Sequence, residues 1–297
     1  LALYASFVKL PHTVFALPFA LVGVTLASYR APVGWPTVGW VLLAFTSARF
    51  AAMGFNRIVD RHIDAKNPRT AQREIPRGAL SVVEAGLAVG IASALFFYAA
   101  WRLNALCFAL SPLALAWVLF YSYTKRFTRW SHLVLGMGLA IAPAGGYLAV
   151  TGQWSVPWWI LPLLAVAVAT WVAGFDILYA LQDHDFDRAH GLHSIPVAFG
   201  AAGAVRASRV LHATTVIALA GVGLATGAQV LYFAGVVVAG ALLLYEHTLV
   251  TPHDLRRLDA AFFSMNGILS ITFFCFVLAE RLLRFWRGEG AGAPLVP

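Results

Sequence analysis

Charge is what this sequence has least of: only 11% of its 297 residues are charged, against 60% hydrophobic, and the mean hydropathy is +0.77. A water-soluble domain of this size cannot hide so much apolar surface, so a soluble fold is excluded and an integral membrane protein is expected. Cysteine is equally scarce. Cys107 and Cys275 are the only two, each inside an apolar run, which excludes a disulfide framework and a cysteine-based metal site. Lysine occurs only as Lys9, Lys66 and Lys125. The formal net charge of +8 is spread through short segments between apolar runs instead of forming one patch, which argues against nucleic acid and matches the cytoplasmic loops of a membrane protein.

Apolar runs long enough to cross a bilayer, about 20 residues each, fall at Pro11–Tyr29, Val38–Val59, Ser81–Trp101, Ala105–Thr124, His132–Val150, Trp158–Leu181, Ala207–Thr226, Gln229–Val250 and Phe262–Phe285. The expected fold is an all-α transmembrane bundle of about nine helices forming a single domain over residues 1–297, with the first run a permanent span. Lys9, the Arg57–Arg77 loop, Lys125 to Arg129, Arg188, Arg206, Arg209, Arg256 and Arg257 all fall on one side, which the positive-inside rule assigns to the cytoplasm together with the N-terminus. An odd helix count then sends Arg281, Arg284 and Arg287 to the opposite side, against that rule.

Two acidic constellations interrupt this apolar background on the same expected face. Asn56, Asp60 and Asp64 recur every fourth residue at the end of the second run, so one helix face presents all three. Carboxylates crowded at a helix C-terminus repel each other and the helix dipole, and they call for a compensating cation. Asp176, Asp183 and Asp187 close the sixth run, and their offsets repeat those of Arg49, Asn56 and Asp60, which reads as a degenerate duplication of four-helix units. Magnesium takes oxygen ligands and commonly combines one or two carboxylates with substrate phosphate oxygens. Two such clusters can clamp a diphosphate, with Lys9, Lys125, Arg126 and Arg73 as further counter-charges. A diphosphate on a greasy chain explains a site built in a membrane.

Other chemistries fit less well. Asp183, Asp185 and Asp187 imitate the start of a calcium loop, but Arg188 and Ser194 stand where Gly and Glu are needed, and Asp185 is expected to be solvated. His184, His190 and His193 have no accompanying fourth zinc ligand. A cation-coupled transporter would place its acids near the bilayer midplane. An intramembrane aspartyl protease needs two embedded aspartates, whereas only Asp176 precedes a helix end by far. The element expected upstream in a CDP-alcohol phosphotransferase is not supplied by Ala51 to Phe55.

The first constellation, with Asn67-Pro68-Arg69-Thr70 and Arg73-Glu74-Ile75-Pro76-Arg77-Gly78 after it, resembles the first aspartate-rich motif of the UbiA superfamily of membrane prenyltransferases. Tyr179-Ala180-Leu181-Gln182-Asp183, Asp187, Gly191 and Ser194-Ile195-Pro196 resemble the second motif, and Tyr121 to Arg126 is similar to the family's tyrosine-to-lysine-arginine segment. The resemblance covers most of the chain in the right order. Departures are Arg57, where many members carry Asp, and Ser122, where many carry Pro. Residues Phe55 to Thr70 with Lys9 to Pro18 look closest to the 4-hydroxybenzoate polyprenyltransferase branch and its menaquinone-synthesis relatives.

That resemblance implies magnesium held by Asn56, Asp60, Asp64, Asp183 and Asp187, and a polyprenyl diphosphate met by Lys9, Arg73, Tyr121, Lys125 and Arg126. It implies transfer of the prenyl group to a ring carbon of a small aromatic acceptor in ubiquinone or menaquinone synthesis, with a naphthoate-type or tetrapyrrole acceptor as alternatives. Asp176 is the candidate for orienting the acceptor or polarising its hydroxyl, and Arg49 for meeting its carboxylate. The expected location is the cell inner membrane, amid lipid, with the site facing the cytoplasm. Prenyl length, acceptor identity and oligomeric state are not fixed by these motifs.

Overall fold

The computed structural model describes residues 2–8, 13–251, 254–258 and 264–288. Lys9, an expected diphosphate contact, lies outside them. The described residues form helices joined by turns and loops: α1 (Ala2–Phe7), α2 (Thr13–Ala27), α3 (Trp35–Lys66), α4 (Val82–Leu103), α5 (Ala105–Thr124), α6 (Ser131–Thr151), α7 (Ile160–Tyr179), α8 (His184–Ala189), α9 (Ile195–Ala225), α10 (Val230–Leu249) and α11 (Asn266–Trp286). Among the described residues nine are long helices, and each falls on one of the nine expected spans. Seven are long and apolar enough to cross a membrane.

Local signals set several ends. Ser81 and Glu84 form a capping box at the start of α4, and Asn104 both ends α4 and accepts the Cys107 N–H at the start of α5. Ser194 caps α9 ahead of Pro196, so this helix begins well before the expected Ala207. It absorbs the extra length by a kink at Gly200, whose φ of 68° suits glycine.

On α4, Leu87, Ile91 and Leu95 form an exposed stripe at four-residue spacing, an apolar face that suits lipid. By contrast α7 lies inside, packed on α6 and α9, with Trp171 fully buried and its ring 4.8 Å from that of Phe19 on α2. Close backbone approach makes this possible. A Cβ at Gly146 would stand 2.2 Å from the Ala20 carbonyl oxygen, and one at Gly136 2.2 Å from that of Ala169, so small residues seat α6 against both α2 and α7. In each expected half the helix leading to an acidic motif pairs most extensively with the next long helix, α3 with α4 and α7 with α9.

The tail that defies the positive-inside rule has structural work. Arg281 donates from Nε to Ser28 Oγ at 2.7 Å and stacks over the Tyr29 ring, and Arg284 reaches the Gly227 carbonyl. Glu280 accepts the backbone N–H groups of Gln229 and Tyr232 at 2.9 and 2.8 Å, capping α10. The charged end of α11 therefore belongs to the bundle end opposite the acidic motifs. These charges are tied to neighbouring helices, and the odd count stands.

Candidate active site

The first motif lies on one unbroken helix. Because α3 continues to Lys66, Asn56, Asp60 and Asp64 share a face, and Asn56 Nδ2 donates to Asp60 Oδ2 at 3.1 Å. Asp60 and Asp64 are only 2% and 4% exposed, a burial that charged groups tolerate only when paired. Both are paired. The end of α5 delivers Lys125 Nζ at 2.9 Å from Asp60 Oδ2 and Arg126 Nη2 at 2.8 Å from Asp60 Oδ1. Arg73, from the loop after α3, donates through Nη1 to both oxygens of Asp64 at 2.8 Å.

The second motif is built differently from the expected single helix face. Helix α7 stops at Tyr179, a tight 3-10 turn covers Ala180–Asp183, and α8 begins at His184, so Asp176, Asp183 and Asp187 lie on three successive elements. The turn buries Leu181 beside Ile177 and Ile195 and aims Asp183 across the bundle at the first motif. There Arg69 donates from Nε to Asp183 Oδ1 at 2.9 Å and from Nη2 to Oδ2 at 2.5 Å, while Asn67 Nδ2 donates to Oδ1 at 3.0 Å. Burial works against the Arg69 charge, but the hydrogen bonds and charge of Asp183 outweigh it and raise the guanidinium above its ordinary value. Asp187 is half-buried, and the Asp185 side chain is fully exposed, as expected.

Beside the motifs opens a cavity of about 760 Å³. Arg49, Asn56, Arg57, Arg73, Tyr121, Asp176 and Tyr179 provide its polar lining. The remainder is almost wholly apolar and continues past Phe45, Leu110, Met137 and Ile141 to Leu148 and Trp154 at the opposite end of the bundle. Leu113 and Met137 line it while also being 68% and 50% exposed, so it borders the outer surface along α5 and α6. His132, opening α6, donates from Nδ1 to Asp176 Oδ2 at 2.7 Å, and its Nε2 accepts the Ile195 N–H.

The fold thus brings Arg49, Asn56, Arg73, Tyr121 and Asp176 to one cavity and sets Asp60, Asp64, Lys125, Arg126 and Asp183 in ion pairs at the motif end. Three further residues join them that the spacing alone did not single out. Arg69 and Asn67 sat within the quoted Asn67-Pro68-Arg69-Thr70 run but with no partner apparent, and His132 had no signal beyond being a polar residue at the start of an apolar run on the motif side.

Among the described residues no three His, Cys, Asp or Glu side chains close on one point. The donors near the motifs are oxygen atoms of carboxylates and one amide, a set suited to a hard divalent cation that keeps waters and takes substrate phosphates in place of a full protein cage. The residues present fit magnesium on those terms.

Residues 16–268 match the model of the UbiA prenyltransferase family. The chain belongs to that family. Among curated UbiA relatives, the 4-hydroxybenzoate octaprenyltransferase of Edwardsiella ictaluri is 32% identical over 249 residues, covering 81% of this chain and 84% of the relative. That of Methylobacillus flagellatus is 32% identical over 260 residues, covering 86% of each. Among solved structures, the apo UbiA homolog from Aeropyrum pernix K1 superposes with a TM-score of 0.79 at 33% identity, covering 92% of this chain and 98% of that one. A UbiA homolog from Archaeoglobus fulgidus bound to DMAPP and Mg2+ shares the fold with a TM-score of 0.72 at 21% identity, covering 94% and 99%. The chain is accordingly a prenyltransferase of the UbiA type, an integral membrane protein with seven apolar helices of spanning length among its described residues.

Proposed function

We propose that this protein transfers a polyprenyl group from its diphosphate to a ring carbon of 4-hydroxybenzoate or a close relative in quinone synthesis, using magnesium on the cytoplasmic side of the inner membrane. The observation carrying this reading is the continuity of one cavity from guanidinium and carboxylate groups at the motif end into an apolar channel, the shape of an amphiphile with an anionic head. The names of the curated relatives support the acceptor. Basic residues concentrated at the motif end support the cytoplasmic side.

Asn56, Asp60, Asp64, Asp183 and Asp187 would hold the metal, which supplies positive charge to the diphosphate oxygens when bound. The chain's own cations do the same work from fixed positions. Arg73 lines the cavity, and Lys125, Arg126 and Arg69 stand on the motif carboxylates; together they would meet the charge that grows on the leaving diphosphate. As the C–O bond to the prenyl group breaks, an allylic cation forms among aromatic and aliphatic side chains that exclude water. The acceptor ring carbon forms the new C–C bond and then gives up its proton to the released diphosphate, which restores the ring. Asp176, steadied by His132, accepts a hydrogen bond from the acceptor hydroxyl and raises the ring's electron density, and Arg49 meets the carboxylate.

The test is prenyl transfer from labelled geranyl or farnesyl diphosphate to 4-hydroxybenzoate by the purified protein, with and without magnesium, beside Asp60→Asn and a panel of naphthoic acids. Prenylated hydroxybenzoate that disappears without metal and in the variant is the expected result. Product with a naphthoate alone would move the acceptor to the menaquinone type. No transfer to any acceptor would refute the reading.

A further inference from the structure

Arg57 is 5% exposed, yet its Nη1 is fully buried and has no hydrogen-bond partner. None of its other nitrogens is paired with an acceptor among the described residues. It lies one residue beyond Asn56 on α3 and lines the polar mouth of the cavity together with Arg73. The acids whose charges reach it, Asp64 and Glu74, make their side-chain hydrogen bonds to other groups. Both oxygens of Asp64 accept from Arg73, and Glu74 Oε1 accepts from Ser6 Oγ at 2.6 Å. Its remaining charged neighbours, Arg69 and Arg73, are guanidiniums.

A buried guanidinium with no acceptor and with like charges beside it is costly, and such a group is retained only where something else satisfies it. The missing partner has to be an anion that presents oxygens to a planar fork of donors, and it has to sit at the motif end of the cavity, where Arg57 follows Asn56 and stands with Arg73. Arg49 and Asp176 already provide for the aromatic acceptor and its carboxylate. A diphosphate meets both conditions.

We propose that Arg57 donates through Nη1 to a phosphate oxygen of the diphosphate, in the prenyl substrate and in the inorganic diphosphate released. This rests on the reading of the protein as a prenyl-diphosphate transferase. The position acts as a ground-state anchor of the leaving group, so it sets affinity for diphosphate and slows its release.

The experiment compares wild type with Arg57→Met and Arg57→Lys as full-length purified protein. It reads the KM for prenyl diphosphate, the KM for the acceptor, inhibition by inorganic diphosphate, and Tm with and without inorganic diphosphate plus magnesium. The expected result for Arg57→Met is a KM for prenyl diphosphate and an inhibition constant for inorganic diphosphate both raised about 10- to 100-fold, the scale of one charge-assisted hydrogen bond. The acceptor KM stays unchanged, and Arg57→Lys recovers part of the loss. Adding inorganic diphosphate plus magnesium should raise the Tm of Arg57→Met less than that of wild type. A raised prenyl-diphosphate KM with unaltered inhibition would restrict the contact to the intact substrate and overturn the product-holding half. A shift in acceptor KM alone or unchanged diphosphate constants would overturn the proposal. A wild-type protein that neither transfers nor is stabilised by diphosphate would instead bring down the transferase reading on which it rests.

Discussion

Arg69 grips both carboxylate oxygens of Asp183, a residue 114 positions later, and so ties the loop behind α3 to the turn behind α7. The contact sets the spacing of the two acidic motifs. Arg69→Ala should lower kcat/KM for prenyl transfer by about 100-fold, the usual scale for losing a placed charge at a reacting anion. Arg69→Lys should restore little, since a single ammonium cannot reproduce the two-point grip. Steady-state assays with varied prenyl diphosphate would check both, and activity close to wild type in Arg69→Ala would contradict the role.

Asp176, on the polar wall of the cavity, is paired with His132, and the proposed role of the pair is to orient the acceptor. Asp176→Asn and His132→Ala should raise the KM for 4-hydroxybenzoate about tenfold, the worth of one charged hydrogen bond in affinity. The KM for the prenyl diphosphate should hardly move. His132→Asn, which keeps a donor near Asp176, should be milder than His132→Ala. Equal damage to both KM values would show that the pair supports the whole site and not the acceptor.

Gly145 lines the cavity on α6, and a Cβ there would meet nothing within 4 Å. Gly145→Leu should therefore be accepted by the fold and fill the apolar channel. Transfer of a short prenyl group such as geranyl should persist, while long chains are rejected, visible as a shortened product distribution in a mixed-substrate assay. Gly146 next to it is the control. Its Cβ would press on the Ala20 carbonyl, so Gly146→Leu should lower Tm and reduce transfer of all chain lengths together.

Glu74 in the loop before α4 titrates below the ordinary carboxylate value. Burial pushes it up, but the Ser6 hydroxyl, its own backbone and the charges of Arg57 and Arg77 outweigh that. A depressed folded-state pKa contributes stability that is fully present above the unfolded value of about 4.3 and is lost as pH falls through the folded one. Tm should be insensitive to Glu74 titration from neutrality down to about pH 5 and then drop. Glu74→Gln should flatten that acid limb, and an identical acid limb in the variant would rule Glu74 out as its source.

Apolar length and charge placement settled much of this protein before any folding was considered. The nine runs became helices because a chain in lipid must satisfy every backbone group internally, so span and helix coincide. The first motif was equally plain, since an N-x3-D-x3-D spacing needs only α3 to stay regular through Lys66. Tertiary structure decided the rest. The second motif left its helix face because Leu181 is drawn into the core and Asp183 into the grip of Arg69, and such forces come from parts of the chain far away in sequence. Which cation meets which acid, Lys125 and Arg126 on Asp60 or Arg73 on Asp64, was equally hidden, because charges pair by distance in space while the sequence records only their order.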